Sequence, residues 1–226
     1  MSDHTPIIEA TFVQRCQEAI RTALVDVSRA RALSERLIAE AGDDAFARGW
    51  ATVALSHARA YAGEFSESIG LLEAALETCP VELQSMLRHA LVQPLLRSGR
   101  TADAADAAAK AVEAAEVLGD ALSLAKTLIS QGAVLRMLGE TVNAERALRR
   151  SVAMSPPGSA VEASALSNLG ECVLDLGRFA EAMECFGSAA DVACFSDRAR
   201  ESGGRSRPPR QGRRSGHRFR YCATVV

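Results

Sequence analysis

Apolar residues recur along most of the chain at intervals of three and four positions, the spacing of one face of an α-helix. The first two such stretches cover residues 8–24 and 27–41, and Gly42-Asp43-Asp44 separates them from the next one. Further stretches of the same kind follow in pairs as far as residue 195. The pattern predicts about ten helices in five consecutive hairpins, of which the first is degenerate.

A glycine-centred phrase separates the two helices of each later pair. It reads Ala62-Gly63-Glu64, Ser98-Gly99-Arg100, Leu138-Gly139-Glu140 and Leu176-Gly177-Arg178. The glycines are 36, 40 and 38 residues apart. A glycine can adopt the left-handed conformation that ends one helix and turns the chain into the next. Five residues after each glycine comes a small side chain, as expected where two helices approach closely: Ser68, Ala104, Ala144 and Ala182.

The last of these units resembles the tetratricopeptide (TPR) repeat. Leu166-x-x-Leu169-Gly170-x-x-Val173, followed by Ala182-x-x-x-Phe186, is similar to the family pattern W-x-x-L-G-x-x-Y…A-x-x-x-F. Leucine and valine replace the two aromatic residues. The same frame fits three earlier units between residues 49 and 195, although Arg59 and Arg88 stand at positions that the family keeps apolar.

This resemblance implies an all-α fold, a right-handed α-solenoid of antiparallel helix hairpins with a concave inner face. The units exceed the family's usual length of about 34 residues. Longer units of this kind are similar to the TPR arrays of large bacterial signalling and regulatory proteins.

The resemblance also implies which residues line the concave groove, because the first helix of each TPR hairpin faces it. In this register they are Trp50, His57, Tyr61, His89, Gln93, Arg97, Lys126, Arg136, Asn168 and Glu171, with Val53, Met86, Ile129, Ser164, Ser167 and Asp175 beside them. Such a mixture suits a partner peptide or helix with apolar anchors and some acidic character. The carboxylate clamp of chaperone-binding members is not reproduced here.

Composition supports a helical, non-membrane protein. Hydrophobic residues make up 48% of the chain and aromatic residues only 4%, which favours helices over β-sandwiches and barrels. No apolar run approaches the roughly 20 residues of a membrane span, and no secretory signal is recognisable. The six cysteines include no closely spaced pair, so we expect structural thiols in the reducing cytoplasm.

Residues 197–226 differ in kind from the rest of the chain. They carry nine arginines against two acidic residues, a net charge of +7, whereas residues 1–196 carry −9. Because this segment lacks large aliphatic residues, we expect a repeat domain at 1–196 and a disordered basic tail at 197–226. A polar capping helix is not recognisable before the tail. We therefore hypothesise a truncated or frame-altered form of a longer array.

No catalytic, metal or cofactor motif stands out. Ser123-x-x-Lys126 has acyl-enzyme spacing but lacks the motifs that accompany it. His57 and His89 lie in successive hairpins and are expected near each other, without a third metal ligand. The sequence thus predicts a protein–protein interaction scaffold that is not an enzyme and needs no cofactor.

Two other functions stay open at this point. The chain could be the sensor or regulatory segment of a larger bacterial signalling protein or transcription regulator whose output domain is absent. It could also be a nucleic-acid adaptor that acts through the arginine-rich tail, where Phe219 and Tyr221 are available for base stacking.

Overall fold

The structure is a computed structural model that describes the backbone of residues 5–201 and the side chains of residues 11–194. Within these residues every regular element is an α-helix. The helices are α1 (Thr5–Ala23), α2 (Val27–Ala41), α3 (Ala45–Tyr61), α4 (Phe65–Thr78), α5 (Val81–Arg97), α6 (Thr101–Leu118), α7 (Ala121–Met137), α8 (Thr141–Met154), α9 (Ala160–Asp175) and α10 (Phe179–Glu201). The predicted all-α class and the five hairpins are confirmed.

The last helix crosses the predicted domain boundary. Helix α10 continues to Glu201, five residues beyond the boundary placed at residue 196. Alanine and arginine are favourable helix residues, and the first glycine of the basic segment comes only at Gly203. The remainder of the predicted tail, including Phe219 and Tyr221, lies outside the described residues.

The glycine-centred turns are built alike in four successive hairpins. Gly63, Gly99, Gly139 and Gly177 have φ angles of 84°, 79°, 79° and 75°. After each glycine, the next backbone N–H donates to a carbonyl five residues earlier, at 2.9 to 3.0 Å. This bond closes the end of the first helix and fixes the direction in which the second one starts.

The helices pack in chain order rather than around one centre. Each described helix contacts its neighbours in sequence, and the odd-numbered helices also contact one another in succession. Within residues 5–201, no such contact joins two even-numbered helices, and none joins helices more than two places apart. Because only the odd row is in mutual contact, the array curves around that row. This is the arrangement of an α-solenoid with the odd helices on its inner face.

Small residues allow the close packing within each hairpin. Ser68, Ala104, Ala144 and Ala182, which follow the four turn glycines, are at most 1% exposed. The Ser68 hydroxyl also donates to the backbone carbonyl of Ser56 at 2.9 Å, joining α4 to α3. The core consists of several clusters along the array, one of which extends from α3 to α7, instead of a single centre.

Arg59, which breaks the family pattern, is accommodated by an ion pair. Its side chain is half-buried, and its guanidinium lies 3.4 Å from one carboxylate oxygen of Glu64. The other carboxylate oxygen of Glu64 lies 2.5 Å from the Arg31 guanidinium. These contacts tie the second hairpin to the preceding one.

Among the described helices, none combines the length and hydropathy needed to cross a membrane.

Candidate functional site

A cavity of about 460 Å³ lies on the inner face of the array. Helices α3, α5, α7 and α9 supply most of its wall, and Phe65 and Ser68 of α4 and Leu24, just after α1, complete it. Small-molecule pockets in proteins commonly have volumes of about 300–1,000 Å³. The cavity is therefore large enough to hold a small molecule or an anchoring side chain of a partner.

Six of the ten predicted groove residues line this cavity: His57, Tyr61, His89, Gln93, Arg97 and Lys126. They come from the first helices of three successive hairpins, as the repeat register implies. Ile129 and Ser164 line it as well. The repeat register thus identifies residues that the fold brings together.

The other four predicted groove residues lie outside the cavity wall. Trp50 packs against the two core clusters at the start of the array, and its indole Nε1 is buried without a hydrogen-bond partner in the described chain. Arg136 pairs with Glu171 and also lies 3.2 Å from Asp175. The Asn168 amide donates to the Ser164 carbonyl at 2.9 Å. The side chains of Arg136, Glu171 and Asn168 thus bind other groups of their own chain.

Several lining residues were missed by the sequence reasoning. Phe65 and Ser68 belong to α4, a second helix, which the family rule does not count. Leu24 follows α1, and Val161 belongs to the first turn of α9, yet both line the same cavity. Only the curvature accumulated over four hairpins brings these two positions together. The glycine turn just before Phe65 is the one sequence signal that could have pointed to it.

The cavity is cationic although the array that forms it is acidic. Its described lining includes Arg97 and Lys126 but no Asp or Glu. The Arg97 guanidinium lies over the Phe65 ring, 5.6 Å from the ring centroid, in a cation–π contact. Carboxylates of the described chain pair instead with cations outside this lining, such as Arg136 and Arg178. The wall therefore offers positive charge to a ligand.

His57 and His89 lie together in the wall, as their positions in successive hairpins predicted. Burial lowers the pKa of His57 to about 4. Burial likewise lowers the pKa of His89 to about 4, and repulsion from His57 and Lys126 acts in the same direction. The Nδ1 atom of His89 lies 3.3 Å from the Ser130 hydroxyl. Both rings are therefore neutral near pH 7 and act as hydrogen-bonding groups.

The remaining chemical candidates are placed as follows. The Ser123 hydroxyl lies 3.1 Å from that of Ser85, which donates to the Ala111 carbonyl at 3.1 Å. Lys126 lines the cavity. Within the described residues, no group of three or more His, Cys, Asp or Glu side chains is arranged to hold a metal ion.

Acidification is expected to destabilise the fold through the two cavity histidines. Their pKa of about 4 in the folded chain lies below the ordinary value of 6.5, so the unfolded chain binds more protons. This stability is fully present above pH 6.5 and is lost as the pH falls towards 4. We expect the urea midpoint to decrease from pH 7 to pH 4.5, and to decrease less in the double variant His57→Gln/His89→Gln.

The carboxylates provide an internal reference for this measurement. Arginine partners lower the pKa of Glu40 and of Glu64, so their contribution is lost mainly below pH 4.5 and in both proteins alike. An equal decrease of the midpoint in the parent and in the double variant would show that the histidines do not carry the effect.

Comparison with solved structures shows the fold. The structure is similar to that of TTC0263, a thermophilic TPR protein of Thermus thermophilus, with a TM-score of 0.63 and 19% identity, covering 83% of this chain and 96% of that one. It is similar to BtubC (BKLC) from P. vanneervenii, with a TM-score of 0.61 and 17% identity over 93% and 97% of the two chains. A MamA fragment (41-end) from Desulfovibrio magneticus RS-1 gives a TM-score of 0.55 and 14% identity over 82% and 97%.

No protein-family model matches the sequence, and no curated protein sequence matches it. The structural likeness nevertheless covers most of each chain. The described chain thus has a TPR-like α-solenoid fold, as the repeat pattern predicted.

Proposed function

We propose that this chain is a non-catalytic interaction scaffold that captures a segment of a partner protein in its inner groove. The observation that carries the proposal is the convergence of the six predicted groove residues on one cavity. They come from α3, α5 and α7, so that a partner held there contacts three successive hairpins at once.

The cavity wall has the composition that favours such capture. Phe65 and Ile129 provide apolar surface for the anchoring side chains of a partner. Tyr61 and Gln93 are exposed and provide polar contacts around that surface. Buried anchors surrounded by polar groups are typical of protein interfaces. A single short segment bound in this way is expected to reach a micromolar Kd, or about −8 kcal/mol.

The test uses the full-length chain as bait in three forms. The groove variant is Tyr61→Ala/Gln93→Ala, which removes two exposed side chains without opening the core. The matched control is Glu113→Ala/Val117→Ala, which changes two exposed side chains of the outer helix α6. Proteins captured by the parent are identified, purified and titrated against all three chains.

We expect at least one captured protein to bind the parent and the outer-face control equally and the groove variant at least tenfold more weakly. Tyrosine is enriched among the residues whose truncation weakens protein interfaces strongly, so the loss of Tyr61 together with Gln93 can have an effect of this size. Capture that is the same for all three chains, or equally reduced in both variants, contradicts binding in the groove.

A further inference from the structure

Several polar groups of the inner face outside the cavity are already engaged within the described chain. Towards the end of the array, Arg136 is paired with Glu171 and Asp175, and Asn168 is bonded to Ser164. Towards its start, Trp50 is half-buried against two core clusters, and its indole Nε1 is buried. An extended peptide that follows the whole groove would therefore meet groups already engaged with each other. The geometry suits a compact ligand that fits within the cavity.

The positive charge of the wall favours a ligand that carries negative charge. Arg97 and Lys126 are both exposed, and no carboxylate in the described lining neutralises them. His57 and His89 are neutral near pH 7 and add hydrogen bonds without charge. A cation bound here would meet two positive groups and no compensating negative one. An anion would gain charge-assisted hydrogen bonds from both.

The rest of the wall is apolar. Leu24, Phe65, Ile129 and Val161 contribute hydrocarbon or aromatic surface to the same cavity. A small inorganic anion would leave this surface in contact with water, whereas a ligand with an apolar body would cover it. Burial of apolar surface contributes about 25 cal/mol per Å². The wall is therefore complementary to a molecule that has an anionic group and an apolar part.

We propose that the cavity is a binding site for a small amphiphilic anion, a carboxylate or phosphate group attached to an apolar body. Arg97 and Lys126 bind the anionic group, and the apolar wall covers the body. The inference goes beyond the proposed function, because such a ligand binds without a protein partner. A ligand bound there would occupy the surface that, under the proposed function, a partner segment contacts.

The test measures binding of four probes to the purified full-length chain by calorimetric titration. Octanoate and octyl phosphate carry the two anionic groups, whereas octanol is neutral and octylamine is cationic on the same apolar body. We expect saturable binding of one or both anions with one site per chain. Octanol is expected to bind at least tenfold more weakly, and octylamine more weakly still. The preference between the two anions identifies the head group.

Charge variants assign the binding to the cavity. Lys126→Gln and Arg97→Gln are each expected to weaken anion binding at least tenfold. Lys126→Gln is also expected to leave octanol binding unchanged, whereas Arg97 covers the Phe65 ring and is compared for anion binding alone. The chain has one other lysine, Lys110, which lies on the outer helix α6 and pairs with Asp106. Lys110→Gln therefore removes the same charge outside the cavity and is expected to leave anion binding unchanged. Far-UV circular dichroism verifies that all variants remain folded.

Three results would overturn the inference. They are equal binding of octanoate and octylamine, equal effects of Lys126→Gln and Lys110→Gln, and no saturable anion binding up to about 1 mM, where the free energy of binding is only about −4 kcal/mol. None of these results bears on capture of a partner protein, which is measured without the probes. Conversely, a scaffold that captures no partner could still bind the anion.

Discussion

Replacing Gly132 with valine is expected to lower the free energy of unfolding by about 2 to 3 kcal/mol, because it overfills the contact between α7 and α8. A Cβ atom at this position would lie 2.5 Å from Cγ and 2.8 Å from Cδ2 of Leu148. Leu148 is only 1% exposed and belongs to the cluster that joins these helices to α9 and α10. It therefore cannot move aside without displacing its own neighbours.

The matched control is Gly70→Val in α4, where an added Cβ meets nothing within 4 Å. Glycine and valine differ by less than about 1 kcal/mol in helix propensity, so this variant is expected to stay within about 1 kcal/mol of the parent. Urea unfolding followed by far-UV circular dichroism gives the comparison. If the two variants are equally stable, the close approach of α7 and α8 at Gly132 is not present in solution.

Because the units of a solenoid are stabilised mainly by their neighbours, the loss at Gly132 should appear first in the last hairpins. Trp50, the single tryptophan, lies in α3, two hairpins before α7 and closer to the start of the array. We expect the circular dichroism transition of Gly132→Val to begin at a lower urea concentration than the transition of Trp50 fluorescence. Coincident transitions would mean that the array unfolds as one unit.

The fold was predictable because its signals are local and repeated. A glycine with positive φ followed five residues later by a buried small side chain defines one hairpin, and four copies define the array. The last repeat contains a second local signal of this kind. At Gly170 an added Cβ would lie 2.6 Å from the Phe186 ring. Only glycine therefore leaves room for the aromatic residue of the family pattern.

The candidate site was predictable only as far as the repeat register reaches. The register gives the face of each first helix, and the structure places His57, His89 and Lys126 of that face in the cavity wall. It does not state which charged groups pair across hairpins, and so Arg136 and Glu171 were expected in the groove although they bind each other. Trp50 lies outside the cavity wall for another reason. Helix α1 packs against α3, and the core cluster formed by α1, α2 and α3 contacts the Trp50 side chain.

Leu87→Ala is expected to lower the free energy of unfolding by about 3 kcal/mol, since truncation of a buried leucine typically costs about 2–5 kcal/mol. Leu87 lies in the middle of α5 and is 0% exposed. Helix α5 contacts both neighbouring helices in sequence and the next odd helix on either side, so the removed atoms leave a space that four helices must close. The cluster around Leu87 extends from α3 to α7.

The position of Leu87 also determines which probe reports the change. Trp50 packs against the same cluster, so its fluorescence transition should shift together with circular dichroism, in contrast to Gly132→Val. The matched control is Leu174→Ala in α9, where the leucine is 42% exposed and the expected loss is about 1 kcal/mol or less. If Leu87→Ala is as stable as Leu174→Ala, Leu87 is not buried in the centre of the array, because truncation of a buried leucine loses its packing contacts and leaves a cavity.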